Sequence, residues 1–117
     1  MLTLSVVDIP DIPLARFALG ATDHLGRLCA MVTVCHPVYS LDEDGVTLEV
    51  TDSMGELIGN AAPLLYTAAW RAARGLGYKR LLSREHTGFT GEVLQGLGWR
   101  KAEVFTLNGE VLWEVRA

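Results

Sequence analysis

Residues 46–62 combine residue types that could bind a charged ligand and transfer a proton. Within them, Gly59-Asn60-Ala61-Ala62 opens a predicted helix after a loop. The start of a helix has unpaired backbone N–H groups and partial positive charge, so it can bind a diphosphate where small side chains let the backbone come close. Gly59, Ala61 and Ala62 are small enough for this. Gly-Asn is also an ordinary helix cap, so the segment alone leaves both interpretations open.

Glu49 is the carboxylate best placed for proton transfer. The alternation of residues 46–51 predicts a strand with two different faces, Val46, Leu48 and Val50 on one and Thr47, Glu49 and Thr51 on the other. If the apolar face packs on the core, Glu49 lines a cleft and can act as a general base. The alternative is a solvated or ion-paired strand carboxylate.

A loop histidine and a few hydroxyls are the remaining acid-base candidates. His86 follows a predicted strand and is a second candidate base, although a loop histidine is more often plain surface. Ser83, Thr87 and Thr90 are candidate proton donors, and the predicted helix 90–97 contains no tyrosine. Three large aromatic residues are interpreted as core or rim: Tyr66, Trp70 and Trp99.

The cysteines and histidines follow no metal-binding pattern. His24 and His36 lie beside turns and share no ligand spacing with Cys29 or Cys35, so no metal is predicted. In one strand the two thiols would be separated by about 20 Å, too far for a disulfide. We expect two buried structural thiols.

The pattern of strands and helices predicts one α/β (α+β) domain over residues 1–117, with a mixed, mostly antiparallel sheet flanked by helices. Residues 14–20 are compatible with a helix or a strand. The predicted strands are 3–7, 17–22, 27–35, 46–51, 78–83, 101–107 and 111–116, and the predicted helices are 60–76 and 90–97. Turns are expected at Asp23-His24-Leu25-Gly26, at Asp42-Glu43-Asp44-Gly45 and at Asn108-Gly109.

Helix 60–76 has the clearest period in the chain. Apolar residues recur at intervals of three and four: Leu64, Leu65, Ala68, Ala69, Ala72 and Leu76. Pro63 falls in the first turn, where proline is tolerated, and Gly75 and Gly77 are available to end the helix. The predicted helix therefore crosses from the strand 46–51 to the strand 78–83.

Composition excludes some classes of function. The net charge of −4 argues against broad binding of nucleic acid, which would need a local basic patch. The longest nearly uncharged stretch, residues 59–70, is too short to cross a bilayer. The first residues lack the pattern of a secretory signal, so a cytoplasmic location is expected.

In order and spacing, residues 46–100 resemble the cofactor half of the GNAT N-acetyltransferases. That family's Gln/Arg-x-x-Gly-x-Gly/Ala motif is matched by Glu56-Leu57-Ile58-Gly59-Asn60-Ala61, with Glu56 in place of Gln or Arg. The stretches TLEVTD, GNAAPLLYTAAWRAARGLGYKRL and GLGWR resemble compact GNAT-like proteins of phages and mobile elements and, more distantly, the phage DNA-modification protein Mom. The resemblance covers about residues 27–107. The first 26 residues are shorter than the family's usual front portion, where two helices shape the acceptor site.

The resemblance implies an acyl-CoA-dependent N-acyltransferase, with acetyl-CoA as the expected donor and an amine on a small molecule, a protein or a nucleobase as the acceptor. The implied catalytic residues are Glu49, His86 and Thr90. The implied cofactor-binding residues are Val50, Thr51, Ile58, Gly59, Asn60, Ala61 and Ala62. The alternative is a catalytically inactive GNAT-fold binding protein, such as a phage protein that acts on a host factor. Small size, Glu56 and the missing tyrosine favour this alternative, and the oligomeric state stays open, a homodimer included.

Overall fold

The computed structural model describes residues 3–7, 15–37, 45–55, 61–84, 90–102 and 111–117, with the backbone alone at 5–7, 15, 52–55 and 90. The strands are β1 Thr3–Val7, β2 Ala15–Thr22, β3 Leu28–Cys35, β4 Thr47–Gly55, β5 Arg80–Arg84, β6 Arg100–Lys101 and β7 Leu112–Arg116. The helices are α1 Ala61–Gly75 and α2 Thr90–Gly96. This order confirms the predicted α/β fold with a mixed sheet.

The strands form one seven-stranded sheet in the order β1-β2-β3-β4-β5-β7-β6. Neighbouring strands are antiparallel except for β4 and β5, which are parallel. Parallel strands need a crossover connection, and α1 lies between these two in the chain. The one parallel pair therefore lies near the middle of the sheet, beside the helix that connects it.

The turn between β2 and β3 is stabilised by Asp23. Its Oδ1 accepts hydrogen bonds from the backbone N–H of Leu25 at 2.9 Å and of Arg27 at 3.0 Å. These donors, with Arg27 first, hold the pKa of the Asp23 carboxyl below its usual value. The predicted hairpin is confirmed, and residues 15–20 are strand rather than helix.

The buried face of α1 consists of Ala61, Ala62, Leu65, Tyr66, Ala69 and Ala73. The helix stops before Gly77, whose φ of +96° is a conformation that residues with a side chain rarely adopt. Leu76, expected on the core face, lies beyond the helix and is 51% exposed. Val46, expected to share the core face of its strand, precedes β4 and is 39% exposed. Both corrections concern residues at the ends of elements, where the period continues but the packing does not.

Both faces of the central strands are buried. On the face toward α1 the fully buried side chains include Leu48, Val50 and Leu81. Thr47 and Glu49 alternate with them on the opposite face and are buried as well. The sequence alternation predicted the change of face correctly. It gave no sign that the polar face is covered, because burial of a strand depends on its position in the sheet.

The closing hairpin is described in part. β6 and β7 pair antiparallel, with Arg100 opposite Glu114 and Lys101 opposite Trp113. The Asn108-Gly109 turn and residues 42–44 of the earlier acidic turn lie outside the described residues. Within the described part, neither helix is long and apolar enough to cross a membrane.

Candidate active site

Among the described residues, the pairing of the two parallel strands ends near their carboxyl ends. β4 and β5 are paired from Thr47 and Arg80 to Val50 and Ser83. Past Val50, β4 continues to Gly55 against β3, whereas the described β5 ends at Arg84. Open α/β sheets bind ligands outside the carboxyl ends of their parallel strands. The gap that begins after Val50 and Ser83 is therefore the candidate site.

A β-bulge lies at the edge of this gap. Val34 of β3 pairs with Val50, but the preceding Thr33 pairs with Asp52, so Thr51 is an extra residue in β4. Such bulges bend a strand and redirect its side chains. The Thr51 hydroxyl donates to Cys35 Sγ at 3.1 Å, and Thr33 Oγ1 is buried without a hydrogen-bond partner among the described residues. The Thr51 and Thr33 hydroxyls and the Cys35 thiol therefore lie near the point where the pairing of β4 with β5 ends.

Small buried residues form the start of α1. Ala61 and Ala62 are 3% and 2% exposed, and they begin the helix that follows β4 in the chain. The first N–H groups of a helix have no partner within the helix, so they can donate to a ligand. Three other predicted cofactor-binding residues, Ile58, Gly59 and Asn60, lie outside the described residues.

Glu49 lies one residue before the gap. It is fully buried and pairs with Cys35 of β3 on one side and Leu82 of β5 on the other. Full burial excludes the alternative of a solvated strand carboxylate. Its role as a base stays a prediction.

Comparison with known proteins identifies the fold. No family profile matches the chain, and no curated protein matches its sequence. A solved Klebsiella pneumoniae structure assigned as an acyl-CoA N-acyltransferase matches with a TM-score of 0.71 and 14% identity, over 99% of this chain and 97% of that one. The chain has the GNAT fold. A structure assigned as a phosphinothricin N-acetyltransferase matches with a TM-score of 0.69 and 15% identity, over 99% and 98% of the two chains.

A third GNAT structure contains a ligand. It is a GNAT family N-acetyltransferase from Escherichia coli in complex with CoA, with a TM-score of 0.65 and 13% identity, over 98% of this chain and 81% of that one. At these identities the similarity establishes the fold of the chain. The two near-complete alignments also show that solved structures with this fold exist at the same compact size.

The GNAT sheet brings together a hydroxyl pair that sequence reasoning missed. Ser83, where the β4–β5 pairing ends, has its Oγ 3.5 Å from the Tyr66 hydroxyl oxygen and also donates to the carbonyl of Arg84 at 3.0 Å. Burial raises the pKa of Tyr66 to about 12, and the hydrogen bond with Ser83 partly opposes this rise. Tyr66 also packs edge-on against Trp99, with ring centroids 5.8 Å apart.

A sequence signal for this pair existed but was weak. Tyr66 was interpreted as a core or rim aromatic, which its full burial confirms, and Ser83 was one of three candidate hydroxyls. The residues are 17 positions apart, so only the packing of α1 on β5 brings them together. A serine directly after two leucines in a predicted strand was the available hint.

The other candidates are located only in part. His86 and Thr87 lie outside the described residues, and Thr90 is the first residue of α2, with its backbone alone described. Neither cysteine forms a disulfide, and Cys29 is partly exposed rather than buried as predicted, because it lies near the start of β3.

Proposed function

We propose that the chain transfers an acyl group, with acetyl preferred, from CoA to an amine. The supporting observation is the gap between β4 and β5 beside the start of α1, in a sheet with the GNAT fold. Neighbours in structure are N-acetyltransferases by name, and one of them was solved with CoA. A pantetheine arm is long and narrow, which suits a gap between two strands.

The residues at the gap fit acyl-CoA. Ala61 and Ala62 let the backbone N–H groups of the first turn of α1 approach the diphosphate, and Gly59 and Asn60 would extend this cradle. Val50 and Thr51 lie where the arm would enter. The unpartnered Thr33 Oγ1 beside the bulge is a polar group that an amide or carbonyl of the ligand could satisfy.

Acyl transfer needs a base for the attacking amine and a proton for the departing thiolate. We assign the base to Glu49. For the proton we add the Tyr66–Ser83 pair to the earlier candidate donors Thr87 and Thr90. His86 stays the alternative base. Glu49 lies beside Leu82 in the sheet, and Ser83 is the next residue, with its side chain on the opposite face. An acyl group held between the strands would therefore have a carboxylate on one side and hydroxyls on the other.

The proposal also covers the acceptor, the location and the origin of the chain. The acceptor is an amine of a small molecule, a protein or a nucleobase, and the chain acts as one domain in the cytoplasm. From the likeness to compact GNAT-like proteins of phages and mobile elements, and distantly to Mom, we propose that the chain originates from a phage or mobile element.

A second candidate function is binding without catalysis. Three features favour it: Glu49 has no exposed surface, α2 has the sequence TGEVLQG without a tyrosine, and Glu56 stands where the GNAT motif has Gln or Arg. A GNAT-fold protein of this kind would act by contact with a partner.

Two experiments separate the two functions. The first is calorimetric titration with acetyl-CoA and with CoA, and the second is a thiol-release assay with a panel of amines. We expect saturable binding, and a melting temperature that rises with ligand concentration. Gly59→Asp should abolish binding, because its carboxylate would oppose the diphosphate, and Glu56→Gln should strengthen it by removing such a charge.

Gly96→Asp is the matched control, because a side chain there meets no atom within 4 Å and Gly96 ends the other helix. Binding without thiol release for any amine supports the binding protein. Absence of CoA binding, or equal binding by Gly59→Asp, contradicts the proposed cofactor site.

A further inference from the structure

A cavity of about 320 Å³ opens beside the last two strands. Among the residues that the structure describes, four line it, all of them charged: Arg100 and Lys101 of β6, and Glu114 and Arg116 of β7. No step of the proposed acyl transfer uses this cavity.

Glu114 holds the arginines of the cavity in place. The carboxylate is buried, with 5% of its side chain exposed, and its Oε1 accepts from Arg100 Nε at 3.3 Å. Its Oε2 accepts from Arg116 Nε at 3.1 Å and lies 3.6 Å from Arg80 Nη1. Arg80 also donates through Nε to Thr47 Oγ1 at 3.0 Å. One carboxylate thus positions three guanidinium groups.

The charges in this cluster do not balance. Among the described residues, Arg80, Arg100 and Arg116 against Glu114 give three positive charges minus one negative, a local charge of +2, in a chain whose net charge is −4. The buried Arg80 is sufficient to neutralise Glu114. Arg100 and Arg116 add positive charge that repels Arg80, and a structural ion pair does not need it. This surplus positive charge can attract an anion.

The arginines also present unused donors. Arg100 and Arg116 contact Glu114 through Nε, and among the described residues their terminal Nη groups make no hydrogen bond or ion pair. Their side chains are 72% and 53% exposed. A guanidinium fork of this kind matches two oxygens of a phosphate group.

We propose that this cavity binds the phosphoryl group of a small phosphorylated molecule. Its volume is that of a small-ligand pocket, and the positive charge is confined to one concave place rather than spread in the stripe that a nucleic acid would need. Across the sheet, Glu114 pairs with Leu82 and Leu82 with Glu49, so the cavity lies two strands, about 10 Å, from the proposed base. The buried Leu82 separates the two places.

Calorimetric titration of the protein with inorganic pyrophosphate and with inorganic phosphate, at low salt, tests this site. Each titration is repeated with saturating CoA, whose own phosphates are proposed to bind at α1. We expect one pyrophosphate per chain, unchanged by CoA and weakened by added salt. The double variant Arg100→Gln, Arg116→Gln should lose at least about tenfold in affinity, because two charge-assisted donors are removed.

The matched control is Arg71→Gln, Arg74→Gln, which removes the same charge from exposed positions of α1. This control should bind pyrophosphate like the original protein, and urea unfolding of both double variants verifies that they are folded. Equal affinity in the two double variants, loss of binding on addition of CoA, or no binding by the original chain at millimolar pyrophosphate overturns the proposal. So does binding of a single-stranded oligonucleotide without binding of either small anion.

Discussion

At the scale of single residues, Glu49 combines a charged side chain with complete burial in the middle of the sheet. A carboxylate in such a place costs free energy unless it is paired, hydrogen-bonded or protonated. Buried ionisable groups of this kind are found in active sites and also in structural ion pairs. Only a variant that changes charge without changing shape separates these two roles.

Glu49→Gln is that variant. If Glu49 removes the proton of the acceptor, turnover should fall about 10²- to 10⁴-fold, while CoA affinity barely changes because the carboxylate does not serve the cofactor. Steady-state kinetics, CoA calorimetry and thermal melting on one preparation give the three readouts. Glu92→Gln on the exposed side of α2 should leave all of them unchanged. A lower melting temperature with full turnover per folded molecule would make Glu49 structural and transfer the role of base to His86 or water.

Tyr66→Phe tests the hydroxyl pair through pH. The folded pKa of about 12 lies above the ordinary tyrosine pKa of 10.0, so below pH 10 both states keep the phenolic proton and the stability is complete. As the pH rises from 10 to about 12, the unfolded chain loses this proton first, and the free energy of unfolding should fall by up to about 3 kcal/mol.

Urea unfolding between pH 9 and 11 measures this loss. Tyr66→Phe should remove that part of the pH dependence, and Tyr78→Phe, on a half-buried ring, should retain it. If Tyr66 also supplies the proton to the thiolate, turnover of Tyr66→Phe falls as well. An unchanged pH dependence in Tyr66→Phe would contradict the burial-raised pKa.

At the scale of elements, the crossover from β4 through α1 to β5 makes the site. The helix packs its alanine-rich face on the sheet, which brings its first turn to the carboxyl ends of the two strands. In the described residues, β4 continues along β3 after its pairing with β5 has ended, which defines the candidate gap. The packing of α1 would therefore be a condition for the proposed CoA binding as well as for stability.

Leu65→Asp should remove the folded state, because Leu65 is fully buried and an unpaired charge there has no partner. Leu65→Ala should fold but lose about 3 kcal/mol of unfolding free energy, the usual cost of such a cavity. Circular dichroism and urea titration measure both. Thr67→Asp places the same charge on the exposed face of the same helix and should be nearly neutral. A stable, cooperative Leu65→Asp variant would refute the packing of α1 described above.

At the scale of the whole molecule, charge is distributed unevenly. The chain is acidic, with a net charge of −4, yet three of its arginines converge on one glutamate at the β5-β7-β6 side of the sheet. Glu114 is paired with Arg80 in a largely buried ion pair. This one carboxylate therefore links three strands.

Glu114→Gln should lower the free energy of unfolding by about 3 kcal/mol, since it removes the negative charge that faces three guanidinium groups, one of them buried. Added salt should recover part of the loss by screening the arginines from one another. Urea unfolding at two salt concentrations tests this, with Glu92→Gln as the exposed control. If Glu114→Gln is as stable as the original at low salt, the cluster does not hold these strands together.

The sequence by itself determined the local elements. Strict alternation in residues 46–51 indicated β4, the period of three and four indicated α1, and Asp23 with Gly26 indicated the turn between β2 and β3. These patterns depend on neighbours within a few positions, so they are readable without the fold. The family resemblance added the GNAT-like fold with its mixed, mostly antiparallel sheet, which the structure confirms.

The tertiary structure alone decided which distant residues meet. The bulge at Thr51 arises from the register of β4 on β3, and the contact of Tyr66 with Ser83 arises from the packing of α1 on β5. Arg100 and Glu114 are 14 positions apart and meet because β6 and β7 pair. Strand pairing and burial depend on residues that are distant in the chain, so they cannot be predicted from a residue's neighbours in the sequence. For that reason Glu49 could be chosen as a candidate from the sequence, while its complete burial could not be predicted.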